Sequence, residues 1–282
     1  MGLLDFILNL VGLLLWLNWR AVGLTNRSNP FGPSLISTLK RTETVTPQRW
    51  LSLAVLLAIL SLRPFFYFQI GPSVGWMPSQ SLGAISLVFR SDYFGRMFLF
   101  SLVEFGLWLA SFYSCLLLIS AANQQLSDTD FCQRLVRLQL GFVERLPAVV
   151  KLLLPWFGAT LAWVFAAPSL ARMGMLPEPK SSTHLWQQAV VIGLASFLTW
   201  KWLLVTIFAL ALLNSYVYLG NSVWWNFISH TAGHLSFPIS WLPLQIGKFD
   251  LVPFIMIAAT LALAEFLQRS LPQLYLQLPL YF

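Results

Sequence analysis

The chain is poor in charge and in the groups from which active sites are usually built. Only 10% of its 282 residues are charged, whereas a soluble domain carries about 25%. It has three histidines and two cysteines, and it lacks a phosphate-binding GxxxxGK[ST] loop, a GxSxG nucleophile elbow and an HExxH zinc motif. The sequence therefore points away from a soluble domain and from the enzyme classes that these motifs mark, and we expect no enzymatic activity.

The cysteines give no sign of a disulfide framework or a metal site. Cys115 and Cys132 have no partner in a CxxC arrangement. Both lie on or near the side that we predict to be cytoplasmic, where thiols stay reduced. We therefore interpret them as structural, chemically inert cysteines.

Apolar residues dominate instead, at 57% of the chain, with 23 Phe and 13 Trp. Since a bilayer core needs about 20 apolar residues per helix, the sequence predicts an all-α membrane protein with about six transmembrane helices, arranged as three helical hairpins. The predicted spans are Leu3–Trp19, Trp50–Ile70, Met97–Ser120, Ala148–Ala167, Val190–Leu219 and Phe249–Leu267.

Two of the predicted spans, the first and the fifth, are not simple apolar helices of about 20 residues. The first carries Asp5 and is followed by bulky residues, which favours an uncleaved first helix over a cleaved secretory signal. The fifth is too long for one straight span at ~1.5 Å per residue. We predict that it breaks or projects near Gly193, with the true span starting at Trp200.

The formal charge of +7 comes from basic residues that separate the apolar runs. A nucleic-acid protein would carry them as a patch on a polar face, so we interpret them as topology determinants and contacts to lipid headgroups. The loop from Arg20 to Arg49 holds five basic residues against Glu43. The loop containing Arg134 and Arg145 is also basic. Both loops should be cytoplasmic, which places both termini on the outer side.

Each cytoplasmic loop is predicted to hold an interfacial amphipathic helix. The clearest has an apolar residue every three or four positions, with basic residues on the remaining faces. This stripe consists of Phe131, Leu135, Leu138, Phe142 and Leu146. It is typical of a helix in the headgroup plane, with packing on the protein's own surface as the alternative.

The second and third hairpins have parallel sequence features. Residues 96–101 match 201–206 in charge and polarity, and both copies run into Ala-Thr-Leu-Ala, at 159–162 and 259–262. We therefore divide the chain into an N-terminal hairpin, an outer loop and two repeats. Their ranges are 1–70, 71–95, 96–184 and 185–282.

The linker of the last hairpin carries a recognisable motif. It reads Pro238-Ile-Ser-Trp-Leu-Pro243, then Gly247-Lys248-Phe249, then Asp250-Leu251-Val252-Pro253 at the start of the next helix. This resembles the YggT (YlmG-like) family, over roughly residues 96–270. The first repeat departs from the pattern, because Lys151 stands where the acid is expected.

The resemblance implies a non-enzymatic protein of the bacterial cytoplasmic membrane, without a cofactor, whose partners are lipids and other membrane proteins or further copies of itself. Family members are linked to osmotic tolerance and potassium uptake, to division-site or nucleoid organisation, and in plastids to haem attachment. The N-terminal hairpin would be an addition to the usual two. Nucleic acid is not an expected partner.

Two charged residues stand inside predicted spans, where each costs at least ~2.5–3.5 kcal/mol at the bilayer centre. Arg63 and Glu104 fall at a similar depth, on the order of 10 Å below the outer surface, and we predict that they pair. The pair could fix two hairpins together or handle a proton or cation. Alternatively, Arg63 could extend to the interface by itself.

His230 and His234 have the i, i+4 spacing that lets two imidazoles share a metal on one helix face. No third ligand lies near them in the sequence, and histidine at a polar interface needs no metal. Coordination of a haem or metal is therefore the weaker of the two interpretations.

Three functions stay open at this stage: a membrane scaffold or assembly factor, a small-ion channel or transporter, and a cofactor-loading protein. The sequence favours the scaffold. Transport would need polar residues along a path, and the spans offer little beyond Asn9, Arg63, Glu104 and Asn214. Whether these four side chains face one interior is the observation that separates the hypotheses.

Overall fold

A computed structural model describes residues 2–25, 45–124, 131–217, 222–237, 245–246 and 249–279. This part of the chain is mostly helical. In chain order its elements are α1 (Gly2–Thr25), α2 (Val45–Val74), β1 (Ser79–Ser81), β2 (Ser86–Val88), α3 (Phe94–Ala122), α4 (Phe131–Leu140), α5 (Ala148–Arg172), α6 (Ser182–Ala195), α7 (Trp200–Tyr216), α8 (Val223–Leu235), β3 (Gln245–Ile246), β4 (Phe249–Asp250) and α9 (Val252–Leu276).

Within the described residues, six helical segments are long and apolar enough to cross a membrane. They correspond one to one with the six predicted segments. The spans are Gly2–Arg20, Trp50–Val74, Phe94–Ala122, Ala148–Arg172, Ser182–Tyr216 and Val252–Leu276.

The chain divides into two compact units. The first contains Met1–Gln80 and Val88–Ala110. In it α1 packs against α2, around a core of Leu56, Leu60 and Phe105. Helices α1 and α3 approach closely at Gly12, where a Cβ would lie 2.8 Å from the ring of Phe105.

The second unit contains Ser81–Leu87 and Ser111–Phe282. Here α5 packs against α6, while α7 packs against α9 and α8. Ile207, Phe208 and Ala232 form one of its apolar cores. The predicted second hairpin pairs α5 with α3, whereas the most extensive neighbour of α5 is α6. The arrangement as three hairpins therefore stays a prediction.

The long fifth segment is interrupted, as its length predicts. A 3₁₀ turn at Ser196–Thr199 separates α6 from α7, three residues after the Gly193 that marked the expected break. The indole N–H of Trp200 donates to Ser114 Oγ at 2.7 Å, and Thr199 Oγ1 donates to the Ser196 carbonyl at 2.7 Å. The turn is therefore fixed by polar contacts.

The predicted apolar stripe of α4 is exposed, and a different face of this helix packs on the protein. Cys132, Val136 and Leu140 are buried, and the last two pack with Leu117 of α3. Leu135, Leu138 and Phe142, from the predicted stripe, are 42%, 36% and 76% exposed. Among the described residues, α4 therefore has one apolar face packed on α3 and a second, with Leu135 and Leu138, that is exposed, and Phe142 follows in the 3₁₀ turn Gly141–Arg145.

A short antiparallel strand pair precedes α9, in which Asp250 of β4 is paired with Gln245 of β3. The N-cap position of α9 is Leu251, and Pro253 occupies the first turn, where proline is tolerated.

Candidate functional site

Five polar side chains come together inside the first unit. Asp5 and Asn9 lie one turn apart on α1, Arg63 and Tyr67 lie one turn apart on α2, and Glu104 projects from α3. The i, i+4 spacing puts each pair on one face of its helix. We call this set the Arg63 cluster.

The guanidinium of Arg63 is at the centre of the cluster. Its Nη1 donates to Asn9 Oδ1 at 2.8 Å. Its Nη2 donates to Asp5 Oδ1 at 3.0 Å and also to Glu104 Oε2. Nε donates to the hydroxyl of Tyr67, which in turn donates to Asp5 Oδ1. The arginine is thus hydrogen-bonded through all three nitrogens.

One further hydrogen bond of the cluster joins α1 to α3. Asn9 Nδ2 donates to Glu104 Oε1 at 3.0 Å, so both carboxylate oxygens of Glu104 accept hydrogen bonds. A buried polar network is stabilising only when its members are satisfied. The contacts between three helices make this network a strong constraint on their packing.

Aromatic rings enclose the guanidinium. Its Cζ lies 5.3 Å from the ring centroid of Tyr67 and 5.9 Å from that of Phe100, distances that suit cation–π attraction. Trp76 contacts both rings, and Phe89 packs on Phe100 with centroids 5.3 Å apart. The Arg63 side chain is only 1% exposed.

Sequence reasoning found part of this site. Arg63 and Glu104, expected to pair from their depth, are in contact, while Asp5, Asn9 and Tyr67 were not recognised as members. An acid and an amide four residues apart in an apolar segment could have revealed the α1 side. Asn214 belongs elsewhere, since its amide donates to Ser229 in the second unit.

A second buried cation lies at the start of α5. Lys151 is 0% exposed, and its Nζ donates to Ser120 Oγ at 2.8 Å and lies 3.3 Å from Glu144 Oε2. Arg137 Nε is 3.5 Å from the other Glu144 oxygen. The sequence presented Lys151 as a basic residue just inside a helix and gave no sign of this pairing.

The two histidines share α8, as their spacing requires, and both are exposed. The Nδ1 of His234 donates to the carbonyl oxygen of Ala122 at 2.8 Å. Within the described part of the chain, no group of three or more His, Cys, Asp or Glu side chains is placed to hold a metal ion. Of the family-like motif, Pro238, Pro243 and Gly247 lie outside the described residues.

The second unit also has an apolar groove of about 370 Å³, formed by α5, α7, α9 and the 3₁₀ turn. Lys201 is its one charged lining residue, and the rest of the lining is almost entirely aliphatic or aromatic. Such a lining suits acyl chains better than a polar substrate.

Comparison with known proteins adds no relative: no family model, curated protein or solved structure matches this chain. The class follows from the fold itself, which in the described ranges is mostly helical with six segments able to span a membrane.

Proposed function

We propose that this chain is a non-enzymatic membrane scaffold or assembly factor, similar to the YggT family, in the bacterial cytoplasmic membrane. It would organise a membrane complex of the cell envelope, of division or of cytochrome assembly. Its six spans would form three hairpins with both termini on the outer side. Lipids and other membrane proteins, or further copies of itself, are its partners in this proposal.

The observation that carries the proposal is the uncovered face of α4. One face of this helix is fixed to α3, while Leu135 and Leu138 are exposed on the other, and Phe142 is exposed in the 3₁₀ turn Gly141–Arg145 that follows. Arg134 and Arg145 are exposed beside them. An exposed apolar strip with basic edges is typical of a binding surface.

The buried charges support the same proposal. Arg63 is bound to Asp5 and Glu104, and Lys151 is bound to Glu144. The partners of each buried cation lie on neighbouring elements, so these ion pairs constrain the packing of the helices.

Site-specific photocrosslinking in the native membrane tests the scaffold proposal. A benzophenone amino acid would replace Phe142, which is 76% exposed, and, as the matched control, Phe165 of α5, which is 77% exposed. We expect one reproducible protein adduct from position 142 and only lipid adducts from position 165. Absence of a protein adduct at position 142 would contradict a scaffold that uses this face.

A second candidate function, a small-ion channel or transporter, is favoured by one observation. Of the four polar residues that the sequence singled out for a transport path, Asn9, Arg63 and Glu104 meet in one network instead of being scattered. Ion flux into vesicles containing the purified protein tests it, with Glu104→Gln as the matched variant. Equal flux through both proteins, or none through either, would exclude a role for this network in transport.

A further inference from the structure

We propose that the Arg63 cluster is an intramembrane proton-binding site, at which the carboxyl groups of Asp5 and Glu104 together hold one proton. The inference goes beyond the scaffold function and does not depend on it.

The cluster contains two acidic groups and one basic group. Asp5 and Glu104 each contact the same nitrogen, Nη2 of Arg63. Tyr67 and Asn9 add hydrogen bonds and no charge. With both acids ionised, two negative charges would face one positive charge. The cluster would then carry an unbalanced charge of minus one.

The charged groups of the cluster are largely buried. The side chains of Arg63, Asp5 and Glu104 are 1%, 11% and 12% exposed, and the rings of Tyr67 and Phe100 lie against the guanidinium. All three residues belong to segments able to span a membrane. Water and counter-ions that would neutralise such a charge at a surface have little access, so an unbalanced charge here is costly.

A proton can supply the positive charge that the cluster lacks. Both oxygens of Glu104 and Oδ1 of Asp5 already accept hydrogen bonds. Asp5 Oδ2 is the carboxylate oxygen for which the described residues provide no hydrogen-bond partner. A metal ion requires several oxygen ligands, whereas a proton requires one. One proton, taken from water and shared by the two carboxyl groups, neutralises the cluster.

The titratable groups in contact here come from three helices: Asp5 from α1, Arg63 and Tyr67 from α2, and Glu104 from α3. In the unfolded chain both acids are exposed to water and ionised at neutral pH. The folded protein then binds one proton more than the unfolded chain. Its stability should therefore fall as the pH rises.

Infrared spectroscopy of the full-length protein in lipid nanodiscs tests the proposal directly. We expect a carbonyl band of one protonated carboxyl group per chain at neutral pH, shifted in D₂O. Asp5→Asn and Glu104→Gln should each abolish the band, because either change balances the charge without a proton. Glu265→Gln, at an exposed pair with Arg269, is the control and should leave the band unchanged.

Thermal unfolding as a function of pH gives an independent readout. The wild-type protein should lose stability in alkaline buffer, whereas the two single amide variants should show a flat profile. The double variant leaves Arg63 without a counter-charge and should be the least stable of the set. The absence of a carboxylic acid band in the wild type, or its persistence in both single variants, would overturn the proposal. So would stabilisation of the wild type by sodium or potassium at fixed pH without such a band.

Discussion

At the scale of single residues, Gly193 occupies a position where an added methyl group has no space. A Cβ there would lie 2.7 Å from Cδ1 of Trp156 and would also overlap the hydroxyl of Thr160. Close approach at a small residue is how membrane helices often gain packing. We expect Gly193→Ala to destabilise the α5–α6 pair by about 1–3 kcal/mol, as overpacking does, measured by unfolding in mild detergent.

The matched control is on the facing helix. Gly158 of α5 would place a Cβ in open space, with no atom within 4 Å. Gly158→Ala should therefore be neutral or stabilising by up to about 1 kcal/mol, the difference in helix propensity. Equal loss of stability in both variants would contradict the close contact at Gly193.

Substitution of Lys151 tests how much a buried ion pair contributes to the stability of the fold. Lys151→Met leaves the Glu144 carboxylate with Ser120 and the more distant Arg137. Removing one partner of a buried pair costs about 3–5 kcal/mol, so we expect a loss in that range in the same unfolding assay. Adding Glu144→Gln should restore part of the stability.

The exposed pair of Glu265 and Arg269 is the comparison, with side chains 51% and 77% exposed. An exposed i, i+4 pair contributes about 0.3–0.5 kcal/mol, and Arg269→Met should cost no more. If Lys151→Met were equally mild, the ion pair of Lys151 would not be a significant constraint on α5.

At the scale of elements, the β1–β2 hairpin depends on its turn. Gly83 has a φ of +80°, and a Cβ at this position would lie 2.6 Å from Cβ of Ala195 in α6. Gly83→Ala should therefore combine left-handed backbone strain of about 1–2 kcal/mol with a steric clash against α6. The measurement is the midpoint of thermal unfolding.

Gly75 separates these two effects. Its φ is +64°, but a Cβ there would meet nothing within 4 Å. Gly75→Ala should thus show the backbone strain alone and be the milder change. Equal losses of stability would mean that the contact between the hairpin turn and α6 contributes nothing.

The elements also show where sequence reasoning reaches its limit. Hydropathy and length depend on composition, so the sequence predicted all six segments described by the structure, with ends that differ by up to nine residues, and the interruption after Gly193. The rotation of a helix depends on its neighbours. For α4, the apolar periodicity indicated the stripe that is exposed but gave no sign that Val136 and Leu140, on another face, pack on α3. The partners of Arg63 and Lys151 were incompletely predicted for the same reason.

At the scale of the whole molecule, the predicted orientation can be tested with two exposed positions on either side of α5. Glu178 follows α5, and Arg145 precedes it. If α5 crosses the membrane once, cysteines at these positions must lie on opposite sides. The excess of basic residues in the first and third loops predicts that position 178 is outside and position 145 is cytoplasmic.

Each cysteine would be introduced into a protein in which Cys115 and Cys132 are replaced, and intact cells would be treated with a membrane-impermeant maleimide. We expect labelling of Glu178→Cys in intact cells and of Arg145→Cys only after permeabilisation, because the bilayer blocks the reagent. The reverse pattern would keep the spans but invert the protein, and both termini would then be cytoplasmic. Labelling of both positions in intact cells would show that α5 does not cross the membrane, which would contradict the six-span arrangement on which the scaffold proposal rests.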